Sequence, residues 1–61
     1  MTPDERWQVL RRYLGERIDA DDAVHRGFLA AGDLPGAAPF GGLLVANRAT
    51  LAKMTELEAQ R

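Results

Sequence analysis

The chain contains no cysteine and no serine, one histidine, one lysine, and only four aromatic residues among its 61. Without cysteine there is no disulfide and no thiolate metal site, two of the usual supplements to a small core. Without serine or cysteine, the raw material for acyl transfer shrinks to Thr2, Thr50, Thr55 and His25, so a nucleophile paired with its base is not expected. Charge of one sign is also missing. Eight Lys+Arg against nine Asp+Glu give a net charge of −1, which argues against a polyanion as the default partner. Long apolar runs are absent too. The longest, Leu43-Leu44-Val45-Ala46, falls far short of the roughly 20 residues a membrane span requires. The opening Met1-Thr2-Pro3-Asp4-Glu5 lacks the positive charge and apolar run of a secretory peptide, so a soluble, cytoplasmic protein is expected. Seven arginines to one lysine, with abundant alanine, match the coding bias of a GC-rich bacterium or its phage.

What is present is helical pattern. Thr2-Pro3-Asp4-Glu5 reads as a capping box: Thr2 at N-cap, Pro3 at the first helical position, Glu5 reaching back. From there Trp7, Leu10, Leu14, Ile18, Val24, Phe28 and Leu29 keep to one side at about 100° per residue. This predicts a first helix over about 3–31, ended by Gly32. It is either continuous or bent or broken near Gly15 to Asp19, where Gly15 weakens the helix and Asp19 offers a new cap. Residues 32–42 hold Pro35, Pro39 and four glycines, and that density of breakers predicts an irregular loop, with Leu34 and Phe40 as its apolar, partner-binding residues. A second helix is expected over about 43–60, with Leu43, Leu44, Leu51, Met54 and Leu57 as a wide apolar arc that also takes in Asn47.

The fold class is therefore all-α: one small domain over 1–61, a hairpin of two helices. A chain this short buries only about 60% of its unfolded surface, and one partner helix cannot cover so wide an arc. Two hairpins packing as a four-helix bundle would bury both stripes, so a homodimer is expected.

Three polar residues interrupt the first stripe at i, i+4, i+8: Arg17, Asp21 and His25. They satisfy one another as boundary pairs, or form a register-setting network at a dimer interface with Asn47 and Thr50, or contribute to a metal site through Asp22 and His25 at i, i+3. One histidine without several inward carboxylates is poor material for the last, and the expectation is no metal, no cofactor and no catalytic residue. The expected interface set is Arg17, Asp21, His25, Asn47, Leu43, Leu44, Leu51, Met54 and Leu57. No phosphate-binding loop is present, since Gly32 to Gly36 and Gly41-Gly42 lack the Walker spacing.

Arg12-Tyr13-Leu14-Gly15-Glu16-Arg17-Ile18-Asp19-Ala20-Asp21-Asp22-Ala23 resembles, generically, the amphipathic acidic helices that open many small actinobacterial and phage proteins. The resemblance implies no activity and no site residue. Two function classes follow: a non-enzymatic interaction protein (adaptor, inhibitor or assembly subunit) working by protein contact, or a regulatory protein touching nucleic acid through Arg6, Arg11 and Arg12 beside Trp7 and Tyr13.

Overall fold

The computed structural model describes residues 1–60. Two helices, α1 (Pro3–Ala30) and α2 (Leu34–Ala59), form an antiparallel hairpin, and there is no strand among the described residues. Helix α1 starts as its sequence dictates: the Thr2 hydroxyl accepts from the Glu5 backbone N–H at 3.1 Å, and Asp4 and Glu5 sit at the positive end of the helix dipole. It runs unbroken through Gly15 and Asp19, so α1 is one helix and not two. Gly32, at φ 72°, closes it in the left-handed conformation that glycine adopts without strain, and the backbone N–H of Asp33 bonds back to the Phe28 carbonyl at 2.9 Å.

The expected loop over 32–42 is mostly helix. Asp33 caps α2, its carboxylate accepting from the Gly36 N–H at 2.9 Å, and Pro35 falls in the first turn, where a missing N–H costs nothing. Pro39 lies one turn further in, with its ring on the exposed side. The glycines counted as breakers serve packing instead. A Cβ on Gly36 would come within 2.6 Å of the Phe28 ring and 2.5 Å of an Asp33 carboxylate oxygen, and one on Gly41 within 3.4 Å of His25 Nε2. Their lack of a side chain lets the helices close just after the turn, where Phe28 and Phe40 stack at 5.8 Å. Leu34 and Phe40 therefore lie on a helix and not in a loop. Leu34 is the exposed first residue of α2, and Phe40 is turned toward α1.

The inward positions of both helices follow one rule. In α1 they are Trp7, Arg11, Leu14, Ile18, Asp21, His25 and Phe28; in α2, Ala37, Phe40, Leu44, Asn47, Leu51, Met54 and Glu58. Steps of three and four alternate throughout, which is the 3.5-residue repeat of a left-handed coiled coil. A two-helix seam cannot bury much. Only Ile18, Ala37, Leu44, Met54 and Asp21 are buried, and the described hairpin measures 44 × 21 × 13 Å, one helix thick.

Glycines with and without neighbours make a paired prediction. Gly15 is helical and a Cβ there meets nothing within 4 Å, so Gly15→Ala should stabilise by about 0.5–1 kcal/mol. Gly36→Ala gains the same helix propensity but must displace the Phe28 ring or the Asp33 cap, and should destabilise by about 1–2 kcal/mol net. Thermal melts of the two variants, compared with the parent, read the opposite signs directly.

Candidate interaction face

The seam divides the hairpin's surface into two broad faces of unlike chemistry. On one, polar side chains tie the helices together. Asp22 is held by Arg26 at 2.9 Å within α1 and by Arg48 at 3.3 Å from α2. Arg11 donates to the Thr55 hydroxyl at 3.0 Å and lies 3.6 Å from Glu58, which also accepts from the Trp7 indole N–H. These partly exposed pairs contribute at most about 1 kcal/mol each, and they put charge along this face, with Leu29, 45% exposed, at its turn end.

The opposite face has the reverse character. Asp22, Arg48 and Thr55 fix which flank of each helix looks toward the polar face, so the other flanks follow from helical spacing: Leu10, Arg17 and Val24 on α1, Leu43, Thr50 and Leu57 on α2, each set at seven-residue intervals. The four apolar members remain 42–49% exposed. Tyr13, 59% exposed, borders them. Antiparallel pairing ranks the six as three rows, Leu10 with Leu57, Arg17 with Thr50, and Val24 with Leu43. The middle row is polar and the outer two are apolar.

Beneath that middle row lies Asp21. It is 3% exposed, its Oδ2 has no hydrogen-bond partner, and its ion pair with Arg17 Nε is long, at 3.8 Å. A buried carboxylate held by so distant a partner has lost its water without full replacement. Arg17 itself is half-exposed, and His25 is half-buried beside Gly41, leaning away from this face. The i, i+4, i+8 ladder is thus split. Arg17 lies on the apolar face, Asp21 in the seam beneath it, and His25 in the seam beneath the polar one.

The expected interface set divides in the same way. Leu44 and Met54 are buried within the hairpin, and Leu51 and Asn47 are half-buried in its seam, because the 3.5-residue repeat turns them toward α1. Leu43 and Leu57 stay outside. Plotting residues at 100° over a whole helix merged the seam with its flank; following the alternation of three and four would have separated them. Leu10, Val24 and Tyr13 were legible as apolar but not as a second, outward-facing stripe.

Two other arrangements bear on chemistry. Among the described residues no group of three or more histidine or acidic side chains is placed to hold a metal ion, and no helix is long and apolar enough to cross a membrane. Arg6, Arg11 and Arg12 do not make one patch. Helical spacing turns Arg11 about 140° from Arg6 and Arg12 a further 100° or so, Arg11 is engaged by Thr55 and Glu58, and Trp7 is half-buried with its N–H used. Comparison with protein-family models, curated proteins and solved structures finds no match to this chain.

Proposed function

We propose that the protein is a non-enzymatic helical interaction module that works by protein contact through its apolar face, and that its first partner is a second copy of itself, completing a four-helix bundle. One observation carries the reading: a hairpin one helix thick with charge on one face and half-exposed leucines on the other. Its accessible surface of 4468 Å² exceeds the roughly 3,900 Å² of a compact monomer of 6.7 kDa. The excess is what a missing second layer would leave. A footprint of 44 × 21 Å offers about 900 Å² per copy, against the roughly 800 Å² each partner contributes to a standard stable interface. Self-association also adds to the modest stability that a cysteine-free chain of this length draws from one seam.

Contact with nucleic acid is the weaker alternative, because the three arginines it needs point in different directions. Light scattering coupled to size exclusion at micromolar concentration tests the proposal. A mass twice that of the 6.7 kDa chain is expected, and a single-chain mass at 100 µM would overturn it.

A further inference from the structure

Resting on the dimer just proposed, we infer its orientation: the second copy packs end over end, about a two-fold axis perpendicular to the helices, so that Arg17 of each copy reaches Asp21 of the other. Two independent observations lead there.

The first is steric. Along the flank of α1 that borders the apolar face, residues recur at steps of three and four and change size midway. Leu10, Tyr13 and Arg17 are large, whereas Ala20, Val24 and Gly27 are small or medium. A strip that tapers in this manner complements itself only when reversed. Run antiparallel to its copy, it sets Leu10 over Gly27, Tyr13 over Val24, and Arg17 over Ala20 and Asp21. Gly27 has room for this, since nothing lies within 4 Å of where its Cβ would be. The other two-fold arrangement, with its axis along the helices, sets α1 over α2 of the second copy, so that the tapering strip never meets its own copy and Arg17 faces Thr50 rather than Asp21. Closed two-fold dimers bury self-complementary patches, and only the reversed one lays the tapering strip on itself.

The second observation is the Asp21 carboxylate, buried, without a hydrogen bond at Oδ2, and 3.8 Å from its own Arg17. The reversed strip delivers a second guanidinium to the same place, and two such pairs related by the axis form a polar layer in an otherwise apolar interface. A single buried polar layer fixes orientation and register, because any other alignment strands its charges.

The absence of native cysteine makes the test simple. Glu5→Cys, at an exposed site in the first turn of α1, takes one nitroxide label per copy, and pulsed dipolar EPR reads the distance between the two. At 1.5 Å rise per residue, the reversed dimer places the labels about 40 Å apart. The alternative puts both at one end, within about 25 Å given interaxial spacings of 8–10 Å. A peak near 40 Å is expected. A peak below 25 Å overturns the orientation and leaves the dimer standing, whereas no inter-label distance together with a single-chain mass overturns the dimer itself. The polar layer has its own readout in Arg17→Leu, followed by far-UV circular dichroism to confirm the fold because the buried Asp21 also loses its own ion-pair partner in the variant. If Arg17 only borders the face, an added leucine tightens the dimer. If it holds the second copy's Asp21, the dissociation constant rises at least about tenfold, and an equal or tighter constant would overturn the cross-pair.

Discussion

Leu44→Ala leaves the chain largely unfolded at 25 °C. Leu44 is 3% exposed and, among the described residues, is one of four buried apolar side chains, with Ile18, Ala37 and Met54. Truncating a buried leucine costs about 2–5 kcal/mol, through the lost transfer energy and the cavity left behind. A domain of about 60 residues has roughly 3–9 kcal/mol in total at 0.05–0.15 kcal/mol per residue, and a one-layer hairpin belongs at the low end of that range. The neighbouring residue supplies the control. Val45 is 72% exposed, so Val45→Ala removes little buried surface and replaces a β-branched residue with the best helix former, and it should change stability by less than about 0.5 kcal/mol in either direction. Far-UV circular dichroism with urea titration separates the two. A Leu44→Ala variant that melts within 1 kcal/mol of the parent would mean that the seam is not the core.

Replacing Leu10 and Leu57 together by glutamate should dissolve the dimer and spare the hairpin. The two form one outer row of the apolar face and are 49% and 43% exposed in the single hairpin, so carboxylates there remain solvated in the monomer. In the bundle the same positions are covered, and two carboxylates at each end of the dimer would be desolvated close together. Burying the remaining surface of a half-exposed leucine contributes about 1 kcal/mol, and four are lost before any charge is counted. At 1.4 kcal/mol per tenfold, a weakening of at least about a hundredfold in the dissociation constant follows. Sedimentation equilibrium on parent and variant measures it. A variant that dimerises as the parent does would remove this face from consideration.

Much of the architecture could be read from the residues, and the failures share a physical origin. The helix starts and ends were legible wherever a side chain satisfies a terminal N–H or glycine takes a positive φ, as Thr2 and Gly32 do. The 32–42 segment was misread because glycine and proline are counted as breakers by default. The cause here is tertiary. Gly36 is small because the Phe28 ring and the Asp33 carboxylate occupy the space beside it, and only the packed pair of helices reveals that. On the candidate face, Arg17 and Asp21 were visible as polar intrusions, but their separation from His25 was not. It depends on which flank of α1 meets Arg48 and Thr55, a relation between two helices that neither sequence contains alone.

The stacked phenylalanines and the bare glycines near the turn have a counterpart at the other end of the hairpin, where polar side chains, Trp7 and Arg11 on α1 with Thr55 and Glu58 on α2, link the helices. One end is sealed by the chain and by rings in contact; the other is fastened by a few partly solvated polar groups. Thermal motion will therefore part the helices from the free ends inward, like a zipper with one closed end. The first surface bared is the seam at that end, with Trp7, Leu14 and Met54. A reversed second copy lays its own sealed end across those frayed ends, so each hairpin's most durable region would clasp the other's weakest.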